Sequence, residues 1–150
     1  MTSTTVLFAL YTFLACYCAG SMTTLQLQHY SIYPRVGVDS FKSYIQANNR
    51  AAVLPAIIPA LGLTISSIAL AFFRPPFMPL PQIVASIGLN VAVLFSTAIW
   101  QGKLHAALGK DGYDKQKIAL LQSTNWIRTI AFLVQAGIAI STLLKALNPA

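Results

Sequence analysis

The sequence predicts an all-α membrane protein, a bundle of four transmembrane helices that forms a single domain over residues 1–150. Of these residues, 56% are hydrophobic and only 9% are charged, whereas soluble domains carry about 25% charged residues. Four segments are also long and apolar enough to cross a bilayer, which takes about 20 helical residues. The predicted spans cover residues 5–27, 51–73, 82–100 and 126–144.

The first span, within TTVLFALYTFLACYCAGS, has the length of a membrane helix rather than that of a signal peptide. Its apolar run continues to Leu25 and so exceeds the about 7–15 apolar residues of a cleaved segment. No basic residue precedes it. Cys16 and Cys18 lie two positions apart and cannot readily bond each other on a helix. We therefore expect an uncleaved span with free thiols.

Prolines shape the second span and the connection after it. Pro55 and Pro59 lie inside the second span, where each removes a backbone donor and is expected to bend the helix. The segment that follows, RPPFMPLPQ, is rich in proline and cannot continue a helix. It predicts a short rigid turn before the third span.

The distribution of charge predicts the orientation of the spans. Ten Lys and Arg residues oppose three Asp, and Glu is absent. Eight of the ten cations lie in the predicted loops 28–50 and 101–125 or at the span ends beside them. Because cytoplasmic loops carry the excess of Lys and Arg, we expect both loops in the cytoplasm of a bacterial-type cell and both termini outside. This placement accounts for the net charge of +7 without a nucleic-acid partner. The eight cations are Arg35, Lys42, Arg50, Lys103, Lys110, Lys115, Lys117 and Arg128.

The two predicted loops share an order of polar residues. Each leaves a span through glutamine and then histidine, and each leads into a helix that carries asparagine and arginine. Asp39 or Ser40 in one loop, and Asp114 in the other, are the expected helix N-caps. The order favours two two-helix repeats related by an axis along the membrane normal, although chance would also explain it. The corresponding pairs are Gln26 and Gln101, His29 and His105, Asn49 and Asn125, and Arg50 and Arg128.

The stretch HAALGKDGYDKQKIALLQSTNWIRT resembles the C-terminal half of small four-span bacterial membrane proteins. These share a His-x-x-Leu-x-x-Gly element followed by Asn-Trp-Ile-Arg-Thr, and here His105, Leu108 and residues 125–129 carry the resemblance. An aromatic residue and an arginine follow in that pattern, whereas Phe132 and Gln135 stand here, so a second intramembrane cation is missing. The resemblance implies the four-span topology and no particular activity.

His29 and His105 are the candidate catalytic residues. Each follows a span closely, with Gln26 and Gln101 before them on the same helical face. They could instead be interfacial residues in contact with headgroups, or a pair of ligands to a haem iron. The spacing of a dedicated metal motif is absent from the sequence. The sequence therefore predicts no metal centre and leaves a cofactor open.

The candidate ligand-binding residues lie where the second and fourth spans begin. An arginine at that depth is commonly an anchor that reaches the headgroups. The same guanidinium could bind a carboxylate or phosphate of a lipophilic ligand, with asparagine and glutamine amides beside it. The set is Arg50, Arg128, Asn49, Asn125, Gln26 and Gln101.

Two functional hypotheses follow. The first is a non-enzymatic membrane protein, that is, a subunit, an assembly factor or a module that binds a lipophilic molecule. The second is a small membrane enzyme that acts on a lipophilic substrate at the cytoplasmic interface, with a haem or quinone variant. The lack of Glu excludes a di-iron carboxylate centre. The expected partners are the lipid bilayer, a lipophilic small molecule, and another membrane protein or a second copy of the chain.

Overall fold

A computed structural model describes residues 2–148, which are almost entirely helical. The helices are joined end to end by three π-helical turns, Leu25–His29, Val53–Ile57 and Thr97–Gln101, and by a 3-10 turn at Tyr33–Arg35. The α-helices are α1 (Ser3–Thr24), α2 (Tyr30–Ile32), α3 (Val38–Ala51), α4 (Ile58–Phe72), α5 (Leu80–Ser96), α6 (Gly102–Asp111) and α7 (Lys115–Leu147).

Four continuous helical stretches are long and apolar enough to cross a membrane, which confirms the predicted four-helix bundle. Helix α1 packs against α4 and α7, and α5 packs against the same two helices. Large apolar side chains cover the outside of the bundle as well as its core, as expected where lipid is the solvent. The chain is a multi-pass membrane protein. The four stretches are Ser3–Arg35, Val53–Phe72, Leu80–Asp111 and Lys115–Leu147.

The predicted loops 28–50 and 101–125 are mostly helical. Helices were expected in them only after the predicted N-caps, so the helices and helical turns over residues 28–35 and 101–111 are a correction to the sequence prediction. Only residues 36–37 and 112–114 in them lie outside helices or helical turns. These segments are polar overall, but apolar residues recur at helical spacing within them, as at Phe41 and Ile45, and they bury a second core. We call this part, residues 30–51 and 102–121, the cap. Its core consists of Tyr30, Tyr33, Phe41, Ile45, Leu108, Ile118 and Leu121.

One of the two predicted N-caps is confirmed and the other is wrong. Asp114 caps α7, because its carboxylate accepts hydrogen bonds from the backbone N–H groups of Gln116 (2.9 Å) and Lys117 (3.0 Å). These bonds, the one from Lys117 first, hold the pKa of that carboxyl below its ordinary value. Helix α3 begins at Val38, with Gly37 as its N-cap, two residues before the start that an Asp39 cap would give and three before that of a Ser40 cap. Asp39 therefore lies in the first turn, where a carboxylate still complements the helix dipole.

The turn between α4 and α5 is short and non-helical, as its prolines predict, and it buries Met78. Pro55 lies in a π-helical turn that begins just after α3 ends at Ala51. The hydroxyl of Tyr17 in α1 donates to the Pro55 carbonyl (3.1 Å). Helix α7, in contrast, runs unbroken from the cap through the bundle. A π-helical turn thus separates the second span from α3, the cap helix that precedes it, whereas the fourth span and its cap segment form one helix.

Candidate functional site

A cavity of about 360 Å³ lies where the cap meets the bundle. Each of the three π-helical turns contributes two residues to its wall. Turns of this kind interrupt the regular hydrogen-bond ladder and occur frequently at functional sites. The polar residues of the wall are His29, Tyr30, Asn48, Asn49, Thr97, Gln101, His105 and Arg128.

His29 belongs to a closed triangle of hydrogen bonds with Asn48 and Tyr33. Its Nε2 lies 2.8 Å from Asn48 Oδ1 and 3.3 Å from the hydroxyl of Tyr33. The amide of Asn48 donates to the same hydroxyl (2.9 Å). Because an amide oxygen can only accept, this geometry is satisfied when His29 carries a proton on Nε2. The histidine is therefore held in one orientation at the cavity wall.

His105 is paired with Tyr30, and Tyr30 is paired with Arg128. The Tyr30 hydroxyl lies 3.2 Å from His105 Nε2 and accepts a hydrogen bond from Arg128 Nη2 (3.2 Å). When Tyr30 donates its own proton to Nε2, a neutral His105 carries its proton on Nδ1. That Nδ1 atom is buried and has no hydrogen-bond partner among residues 2–148.

A second buried donor lies on the same wall. Gln101 is almost fully buried, and its Oε1 accepts a hydrogen bond from the Ser96 hydroxyl (2.9 Å). Its Nε2 has no partner in the described part of the chain. A buried donor without a partner costs about 1–3 kcal/mol. Gln101 Nε2, and His105 Nδ1 when Tyr30 donates to Nε2, are therefore two donors without a partner in residues that line one cavity.

Arg128 is fixed by a chain of amides behind it. Its Nε donates to Asn125 Oδ1 (2.8 Å), as does its Nη2. The Asn125 amide donates to Gln26 Oε1 (2.7 Å), and Gln26 donates to the carbonyl of Gln122 (3.1 Å). Both ion pairs within residues 2–148 are made by Lys117. Arg128 therefore lines the cavity without an acidic partner from the described chain.

The structure separates the predicted site residues into three groups. His29, His105, Gln101, Asn49 and Arg128 line the cavity.

Two others, Gln26 and Asn125, are buried behind the wall and position Arg128. Arg50, the last cation of α3, is exposed and lies outside the cavity. Asn48 was missed by sequence reasoning. Its spacing from Phe41 and Ile45 marks the inward face of α3 and could have identified it.

An apolar extension continues from this cavity into the bundle. It has a volume of about 130 Å³, and it shares part of its wall, including Thr97 and Arg128, with the larger cavity. The remaining wall is almost entirely apolar and comes mainly from α4 and α5. The combined space therefore has a polar end under the cap and an apolar end among the spans. The residues found only in the extension are Ala60, Leu61, Thr64, Asn90, Val93, Leu94 and Phe132.

The sequence left open whether the protein holds a cofactor, and the side chains at the cavity can be compared with the ligands that a metal ion or a haem requires. Residues 2–148 contain no group of three or more His, Cys, Asp or Glu side chains placed to hold a metal ion. Haem ligation through the Nε2 atoms of His29 and His105 would require both to leave their present partners. Three residues of the wall, Gln101, His105 and Arg128, carry nitrogen atoms able to donate hydrogen bonds. Donors of this kind recognise a carbonyl or an anionic oxygen.

Comparisons of the chain with family models, with curated proteins and with solved structures found no match.

Proposed function

We propose that the protein binds a lipophilic small molecule with an anionic or carbonyl end group. The observation that carries the proposal is a pair of buried nitrogen atoms without a hydrogen-bond partner, Gln101 Nε2 and His105 Nδ1, in residues that line the same cavity as Arg128. An oxygen of the ligand would satisfy these donors. A negative charge would also complement the guanidinium, since the described chain supplies no acid to it.

The shape of the cavity supports a ligand with one polar end. The end group would lie at the cap, and the hydrocarbon body would fill the extension beside Leu94 and Phe132. In water, burial contributes about 0.8 kcal/mol for each CH₂. A chain that leaves a bilayer exchanges one apolar environment for another, so this contribution is largely absent. Recognition would therefore depend on the end group.

Native mass spectrometry of the purified protein tests the proposal. Decanoate, 2-undecanone and decane offer an anionic, a carbonyl and a purely apolar molecule of similar chain length. We expect adducts with decanoate and the ketone and a much weaker adduct with decane, because only the first two supply an acceptor to the donors. A co-purified molecule of the same class would be seen directly. Equal retention of all three probes, or of none, would contradict the proposal.

The proposed location is the cell membrane of a bacterial-type cell, with the cap in the cytoplasm and both termini outside. The distribution of Lys and Arg supports this orientation. Eight of the ten lie in the cap or in the α7 segment beside it, and the other two, Arg74 and Lys145, lie toward the opposite end of the bundle. The polar end of the cavity would then lie at the cytoplasmic interface. Several exposed cations of the cap, such as Lys42, Lys103 and Lys110, would face anionic headgroups there.

A second candidate function is an enzyme that acts on the same class of molecule. It is favoured by two histidine–tyrosine pairs, His105 with Tyr30, which both line the cavity, and His29 with Tyr33, of which only His29 lines it. Each joins two groups able to exchange a proton, which general acid–base catalysis requires within hydrogen-bond reach.

If the protein is an enzyme, its bound molecule should be converted during incubation, and Tyr30→Phe should slow conversion while the adduct persists. Mass spectrometry of the extracted molecule over time measures this. An unchanged molecule in the wild-type protein would leave binding as the function.

A further inference from the structure

The cavity extension reaches the outer surface of the bundle between α4 and α5. Ile57, Leu61 and Leu94 line it, and they are 48%, 49% and 47% exposed. Side chains that line a cavity and are also half-exposed form its rim. Ile57 and Leu61 lie on one side of the seam and Leu94 on the other. We call this gap the α4–α5 seam.

On the cap side of the cavity, α3 and α6 are joined by hydrogen bonds. Gln46 Nε2 donates to the carbonyl of Gly109 (2.8 Å), and Asn49 Nδ2 donates to the carbonyl of His105 (3.3 Å). A Cβ atom on Gly109 would already be in van der Waals contact with Asn49 and Gln46, at 3.7 and 3.8 Å. The two helices therefore lie close together over the polar end.

The surroundings of the seam are apolar. Ile65 on α4, and Val91 and Phe95 on α5, are exposed beside it. Exposed apolar side chains on a spanning helix face hydrocarbon. A lipid-soluble molecule would therefore meet the rim without crossing water, and the only charged side chain in the wall of the extension is that of Arg128.

We infer that the ligand of the cavity enters and leaves through the bilayer, by way of the α4–α5 seam. The identity of the ligand rests on the proposed function, but the opening of the seam to lipid does not. A competing route lies on the other side of the Val53–Ile57 turn, where Ser21, Thr24, Ala51 and Pro55 border a neighbouring cavity of about 340 Å³. Its hydroxyl groups make it the more polar of the two.

Quenching of tryptophan fluorescence by brominated phospholipids tests the seam without any ligand. Three single-tryptophan proteins are compared after Trp100 and Trp126 have been replaced by Phe. The floor reporter is Phe132→Trp, at a position that is 1% exposed and lines the extension. The lipid-face reporter is Phe95→Trp, at a position that is 62% exposed. The core reporter is Phe8→Trp, at a position that is 3% exposed and lines neither cavity.

We expect the floor reporter to be quenched nearly as strongly as the lipid-face reporter and several-fold more than the core reporter, because acyl chains reach it through the seam. Bilayers with bromine at several depths along the acyl chain correct for the depth of each reporter. Ala60→Leu, which fills part of the extension, should lower the quenching of the floor reporter several-fold. Ala51→Leu, at the competing opening, should leave it unchanged. Met22→Trp, at the same floor, provides a second reporter should Phe132→Trp fail to fold.

Protection of the floor reporter to the level of the core reporter would overturn the inference. So would quenching that Ala51→Leu lowers and Ala60→Leu does not. Because the experiment contains no ligand, these outcomes are independent of the decanoate measurement. Failure to bind decanoate would overturn the proposed function and leave the seam in place.

Discussion

Replacing Arg128 by methionine should weaken the retention of decanoate by roughly thirty-fold. Methionine keeps much of the length of the side chain and removes its charge and its donors. Loss of a hydrogen bond to a charged group costs about 2 kcal/mol, which corresponds to roughly thirty-fold in affinity. Native mass spectrometry across a range of decanoate concentrations measures the change. Retention of 2-undecanone should fall less, because it carries no charge.

Arg50→Met is the matched control for this experiment. Arg50 is the other arginine that the sequence offers as a ligand-binding residue, but it is exposed at the end of α3 and lies outside the cavity. We expect the control variant to retain decanoate like the wild type. If both substitutions weakened retention equally, the effect would come from the general positive charge of this interface and not from the cavity.

Replacing Phe41 by alanine should open the cap. Phe41 is fully buried, and its ring packs edge to face against Tyr33 (5.9 Å between centroids) and Tyr113 (5.4 Å). A buried Phe→Ala substitution costs about 3–5 kcal/mol, a large share of what so small a core can supply. Amide hydrogen exchange in α3 should therefore accelerate by orders of magnitude. Exchange in α4 should change little, since its packing against α1 and α5 does not involve the cap core.

The matched control is Val38→Ala in the same helix, because Val38 is exposed and its side chain contributes little to the core. Exchange in α3 should be close to that of the wild type. Should Phe41→Ala leave α3 equally protected, the cap would be held by its hydrogen bonds to α6 and not by its aromatic core. Those bonds, from Gln46 and Asn49, hold α3 against α6 at the polar end of the cavity, so a loosened cap should release bound decanoate faster.

The polar end of the cavity combines rigid and unsatisfied groups. Asn125 and Gln26 do not touch the space, yet they fix the guanidinium that does. His29 is similarly fixed by Asn48 and Tyr33. Gln101 and His105, in contrast, each keep one buried donor free of protein partners within residues 2–148. Such preorganisation lowers the cost of ordering side chains when a ligand binds.

Sequence reasoning anticipated the elements that depend on local composition. The four spans follow from uninterrupted apolar runs, because a helix in lipid must be apolar along a length set by the bilayer. The Asp114 cap and the turn before α5 follow from residues that act on their immediate neighbours. The helices expected after Asp39 or Ser40 and after Asp114 are present as α3 and α7, whereas α2 and α6 were missed because neither has the long apolar run of a span.

By itself, the sequence determined that this chain crosses a membrane and that its polar side chains gather near one end of the bundle. Only the tertiary structure decided which of them meet. The π-helical turns carry no distinct sequence signal, and each shifts the helical phase of the residues that follow it. Arg50 follows Asn48 and Asn49 on α3 but faces away from the cavity that they line, whereas Arg128 on the unbroken α7 lines it. Packing of cap against bundle, and not local pattern, created the cavity.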